Sequence, residues 1–239
     1  MSGFDNYYDF MRDEDVSAYP VWPIGTPIKV GDYGTLERRS GLLSGRYQFV
    51  RFSNINDRLT EATAELEREP FTGEVVQDSG VSFEASANAE TIAGAPVEVS
   101  GRLVADGETK LAVHFETGYI ERFKRMDAIV EAFQHDPASA EYVLVTEIRV
   151  AQTGGAIVSD EGGWSVGAKG DLKALEAIKL GDAAVALASR SGAVAARNFH
   201  QPSAIFLKLY GRGWFGFSQL DATKDEDEGI VELHPDLMP

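Results

Sequence analysis

Gly163-Trp164-Ser165-Val166-Gly167 matches G-x-S-x-G, the pattern in which a strained turn between a strand and a helix presents a nucleophilic serine. Asp182 and His200 follow it in the order of an esterase triad. A hydrolase sheet needs alternating strand and helix units, whereas the chain upstream of residue 163 reads as an array of alternating strands. A serine hydrolase using Ser165 is therefore a minor reading, and the chain is expected not to be an enzyme. The surrounding stretch, 162–170, fails as a phosphate loop because Ala168 separates Gly167 from Lys169 and no serine or threonine follows the lysine. It reads as a glycine-rich connection. His114 and Glu116, two apart on a strand, share one face and could ligate a metal, but His135, His200 and His234 signpost no third ligand. No metal or cofactor is expected.

The positions of these groups depend on what kind of chain carries them. It has 239 residues, 44% apolar and 25% charged, which suits a globular domain with a substantial core. Residues 1–220 read as a single domain and 221–239 as an acidic tail. The formal charge of −16 argues against nucleic acid as a partner, because phosphate binding needs clustered lysine and arginine. The tail holds seven carboxylates against Lys224, a net −6, so the chain without it would carry −10. It is a solvated end or a removable cover. Without cysteine there are no disulfides and no thiolate chemistry. The N-terminus lacks the basic and apolar regions of a signal peptide, and the longest apolar run, 183–188, is too short to span a bilayer as a helix, so the cytoplasm is the expected location.

Residues 1–17 interleave Phe4, Tyr7, Tyr8 and Phe10 with five carboxylates, as a short docked helix or a loose arm would. Pro20, Pro23 and Pro27 enforce extended backbone, and Gly31-Asp32-Tyr33-Gly34 reads as a turn opening a strand pair whose second member is 46–52. Asn56 or Asp57 could cap a helix carrying Leu59, Ala62 and Leu66, stopped by Pro70. The period then changes to two. Val81, Phe83, Ala85 and Ala87 alternate with polar residues, and so do Val97, Val99, Gly101 and Leu103. Asp106-Gly107 predicts a type I′ hairpin leading into a strand with Leu111, Val113 and Phe115 on one face. Tyr119, Phe123, Met126, Val130 and Phe133 recur at steps of four and three, predicting a helix over 119–135. A long strand follows at 142–150, and Gly154-Gly155 reads as a turn. Leu172, Leu175 and Ile178 suit a short helix ended by Gly181, and 183–190 and 204–210 are further strands. The expected fold is α+β: a twisted, mainly antiparallel sheet with two or three packed helices.

The strand Tyr142-Val143-Leu144-Val145-Thr146-Glu147-Ile148, followed by Gln152 and a glycine-bearing loop, resembles the central strand of the gasdermin pore-forming domain. Ala204-Ile205-Phe206-Leu207-Lys208-Leu209-Tyr210 resembles that domain's closing strand, and the order of elements is similar over about three quarters of the chain. The resemblance implies a gasdermin-N-like fold and an autoinhibited protein that oligomerises in membranes on activation, in bacterial immunity or cell death. It implies membrane lipids and further copies of the chain as partners, an activating protease, and the acidic tail as the inhibitory segment. Val81, Phe83, Ala85, Val97, Val99, Leu103, Leu111, Val113 and Phe115 would be the membrane-inserting set. Arg122, Lys124 and Arg125 would meet lipid headgroups. The rival is a non-enzymatic binding or immunity-type protein of the same fold, acting through a sheet edge or through Trp214-Phe215.

Overall fold

A computed structural model describes residues 2–15, 17–40, 46–55, 64–85, 98–180, 186–188, 194–213 and 216–220. Helix α1 (Gly3–Glu14) is followed by strands β1 (Tyr19–Pro20), β2 (Asp32–Ser40), β3 (Arg46–Asn54), β4 (Leu66–Pro70), β5 (Glu74–Gln77), β6 (Val81–Ala85), β7 (Glu98–Ala105) and β8 (Leu111–Phe123). Helix α2 (Met126–Gln134) precedes β9 (Val143–Ser159), β10 (Ser165–Asp171), helix α3 (Leu172–Glu176), β11 (Ala186–Ala188), β12 (Val194–Phe199), β13 (Ser203–Gly213) and β14 (Gly216–Leu220). The chain is a mainly-β protein with one large twisted antiparallel sheet, one small sheet and a few short helices. The helical share is smaller than the sequence led us to expect.

The large sheet is organised around β9, a 17-residue strand. Along one edge β9 pairs with β8, and along the other with β13 and then β12; β2 joins at its start and carries β3. Helix α1 lies on one face, with Tyr7 and Met11 packed among Val113, Phe115, Val158 and Phe206. The spacing of these residues puts them on one side of the helix. Ser2 and Asp5 close a capping box at its start. Arg46 of β3 ties the same helix down through both carboxylate oxygens of Asp9, which holds its guanidinium above the ordinary range. Helix α2 covers the other main core through Ile129 and Phe133, beside Tyr33, Phe123 and Leu144.

Four local expectations fail, each because a contact distant in sequence overrides a local signal. The Asp106-Gly107 segment is no hairpin: β7 pairs with β6 and β10, while β8 pairs with β4, β5 and β9. Gly107 does not take the positive φ a type I′ turn requires. Instead the Asp106 carboxylate accepts the Thr109 hydroxyl and the Thr109 and Glu108 N–H groups, which lowers its pKa and turns the chain from one sheet to the other. The predicted helix at 119–135 begins only at Met126, because β4 offers β8 a second edge that keeps Tyr119 and Phe123 in the strand.

Gly154-Gly155 is strand, not turn. A Cβ at Gly154 would strike the ring of Phe115, and one at Gly155 would strike Leu180, so these glycines permit close approach within β9. The glycine-rich stretch from Ser165 is likewise a strand, β10, with Gly167 opposite Arg102 and Gly170 opposite Val99. The expected helix over 56–66 lies mostly outside the described residues, but Leu66 opens β4. Gly181, Trp214-Phe215 and the tail at 221–239 also lie outside them.

Candidate functional site

The feature with the clearest capacity to act is the small sheet. Its order is β11-β10-β7-β6, antiparallel throughout, and it is built from the β6–β7 hairpin and the β10–β11 pair, joined through the β7–β10 ladder. The register places Ala85 opposite Gly101 and Asp171 opposite Glu98. The end of β6, the start of β7 and the end of β10 therefore lie at one end of the sheet. At the opposite end the chain returns to the large sheet, where the Asp106 N–H donates to the Gly80 carbonyl at 2.9 Å and the Gly163 N–H to the Asp106 carbonyl at 2.6 Å.

The two faces of this sheet differ in chemistry because side chains alternate along each strand. Val99, Leu103 and Ala105 of β7 and Val166 and Ala168 of β10 are buried, with Val81 and Phe83 packed beside them. They cover Ala112 of β8 and Ile157 of β9, neighbours in register on the large sheet. Leu175, Ile178 and Leu180, from α3 and the turn after it, close the cluster. Ser82, Glu84, Ser100, Arg102, Ser165 and Lys169 are exposed on the other face.

The expected membrane-inserting residues thus divide between two sheets. Val81, Phe83, Val99 and Leu103 share the apolar face of the small sheet; Ala85 continues the same face and is exposed, and Val97 lies outside the described residues. Leu111, Val113 and Phe115 lie apart from that face in this structure. They belong to a strand paired on both edges and are buried beneath α1, so exposing them would break two ladders and cost about 1.5–3 kcal/mol per side chain in lost apolar burial. Missing from the expected set were Val166 and Ala168, hidden by the glycines around them.

Two of the three expected headgroup residues are ion-paired in this structure. Glu67, Arg122, Glu147 and Lys208 are consecutive partners across β4, β8, β9 and β13, a ladder of alternating charge. Arg122 pairs with Glu67 and lies 3.6 Å from Glu69 and 3.7 Å from Glu147, and Lys208 reaches Glu147 at 2.9 Å. Lys124 pairs with Glu65. Hydrogen bonding to Glu67 holds the Arg122 guanidinium above the ordinary range. Arg122 and Lys124 are therefore matched by carboxylates and form no unopposed basic patch in this state; Arg125 is exposed at the start of α2.

Ser165 opens β10 and runs into a strand, without the strand-to-helix turn a nucleophile elbow uses. His200 is exposed beyond β12 of the large sheet, and Asp182 lies outside the described residues. His114 is buried, with Nε2 3.8 Å from Glu74. Among the described residues no group of three potential ligands gathers to hold a metal, and no helix is long and apolar enough to cross a membrane, which leaves crossing by strands open. No family model, curated protein or solved structure matches this chain.

Proposed function

We propose that the chain is an autoinhibited, gasdermin-like pore-forming protein whose small sheet leaves the large one and enters a bilayer. One observation carries this reading: a four-stranded antiparallel sheet, separate in its pairing from the large one, keeps an apolar face against a polar one. A membrane-spanning barrel needs that alternation, since one face meets lipid and the other water. Its closed ladder also leaves no backbone group unpaired in hydrocarbon. The apolar face is already covered in the soluble fold, by Ala112, Ile157 and the α3 turn, so insertion exchanges one apolar environment for another.

Spanning takes about 9–11 residues per strand. Strand β7 has eight and β10 seven, so the ladder would have to lengthen into 86–97 and 172–185. With Leu111, Val113 and Phe115 retained in the large sheet, the inserting set becomes Val81, Phe83, Ala85, Val99, Leu103, Val166 and Ala168. The acidic tail serves as the inhibitory segment, and its removal reduces the net negative charge that opposes approach to anionic lipid.

Dye release from vesicles of mixed neutral and anionic lipid tests this. The 1–220 chain is expected to release trapped dye at least tenfold faster than the full chain. Intact vesicles at micromolar 1–220 chain would sink the reading. A soluble binding protein is the second reading, favoured by Phe52, which is 66% exposed and stacked on Tyr142 with ring centroids 4.9 Å apart. A partner retained by the full chain and lost on Phe52→Ser, with vesicles intact, would favour it.

A further inference from the structure

His114 sits on β8 at the seam between the two sheets, on the face it shares with Ala112, and is only 7% exposed. Its partner on β9 is Gly155, and on β5 it is Val76. Because Gly155 has no side chain, the turn after α3 can press directly on the sheet beside the imidazole; a Cβ there would lie 2.8 Å from both Cβ and the carbonyl oxygen of Leu180. That turn is itself strained. Ile178, β-branched, is held at φ 52°, in the left-handed region that side chains of its kind avoid.

The imidazole is poorly provided for as a cation. Nδ1 finds no hydrogen-bond partner among the described residues, and Nε2 has only the long 3.8 Å approach to the exposed Glu74. The charged groups around it are Glu74 on β5, Asp78 just beyond β5, Glu116 on β8 itself, and Lys179 in the turn after α3. Burial outweighs the three carboxylates and holds its pKa below the usual histidine value, and Lys179 acts in the same direction.

We infer that His114 is an acid-sensitive latch: its protonation releases the α3 turn from the large sheet and so loosens the seam that holds the small sheet in place. The sign follows from linkage. A base whose folded pKa is depressed is neutral in the closed seam and takes up a proton when the seam opens, so stability is present above about pH 6.5 and is lost as pH falls below it. This goes beyond the pore-forming reading, because the release occurs in solution with no membrane present and can be read whether or not the chain permeabilises vesicles.

Hydrogen–deuterium exchange of the full chain at pH 7.5 and 5.5, corrected for the intrinsic pH dependence of exchange, tests it. Protection of peptides within 164–180 is expected to fall several-fold at the lower pH, toward the limit of about tenfold that one proton taken up at an ordinary histidine pKa allows, while peptides within 143–150 and 203–210 keep theirs. His114→Gln should abolish that difference. Equal protection of 164–180 at both pH values, or the same acid loss in His114→Gln, would overturn the inference. Should His114→Gln fail to fold, two milder variants decide. Lys179→Gln removes a charge that depresses the imidazole pKa and should move the opening to lower pH. Glu74→Gln removes one that raises it and should move the opening to higher pH. Failure of either shift in its stated direction overturns the latch equally.

Discussion

In the 1–220 chain, Ala85→Asp is expected to cut dye release at least tenfold, while Ser82→Asp on the same strand leaves it within about twofold. Both positions are exposed in the soluble fold, so neither change should alter its thermal unfolding. They differ only in face: Ala85 continues the line of Val81 and Phe83, and Ser82 points away from it. In the proposed inserted state the first would face lipid and the second water. A charge on the lipid face of a barrel costs up to about 2–4 kcal/mol near the midplane, somewhat less for a carboxylate. Each 1.4 kcal/mol is tenfold in an equilibrium constant. Vesicle release by the two variants, compared at equal folded concentration, checks the expectation, and equal activity would count against insertion of β6.

The second large effect concerns the frame from which the small sheet would depart. Gly34 lies in β2 at a shift of register against β3, and a Cβ there would sit 2.0 Å from the Val50 carbonyl oxygen and 3.0 Å from the Arg51 Cα. All the obstructing atoms are backbone, so no side chain can swing aside. Gly34→Ala must then separate β2 from β3, losing the pairing that keeps Tyr33 and Phe49 in the core. Overpacking usually costs about 1–3 kcal/mol, and a clash with backbone belongs at or beyond the top of that range. Against a total stability of about 5–15 kcal/mol, a large share of the fold's margin would go. Gly107→Ala is the control, since a Cβ there meets nothing within 4 Å and should change stability by less than about 0.5 kcal/mol. Denaturant unfolding of the three proteins measures both.

Strand alternation carried much of this architecture into the sequence. Val81 to Ala85 and the strand holding Val99 and Leu103 were legible because one face is covered and the other is not, and the run from Ala204 to Tyr210 because it is a short, almost wholly apolar stretch buried on both faces. Pairing was not legible, since it is set between segments far apart. Asp106-Gly107 has the composition of a hairpin turn, yet Trp164 takes the Ala105 N–H and the chain crosses to another sheet. Glycine misled twice, at Gly154-Gly155 and around Gly167. Its usual association with turns hides its other use, which is to let a facing side chain or strand come close. The same error concealed part of the candidate site, because β10 supplies Val166 and Ala168 to the apolar face.

The chain lacks cysteine, so single cysteines at Val81, Ser82, Phe83, Glu84 and Ala85 can each carry an environment-sensitive fluorophore. With activated protein bound to vesicles whose acyl chains bear nitroxide quenchers, fluorescence at positions 81, 83 and 85 is predicted to be quenched and that at 82 and 84 preserved. Uniform quenching, or none at any of the five in vesicle-bound protein, would contradict the departure of this sheet into lipid.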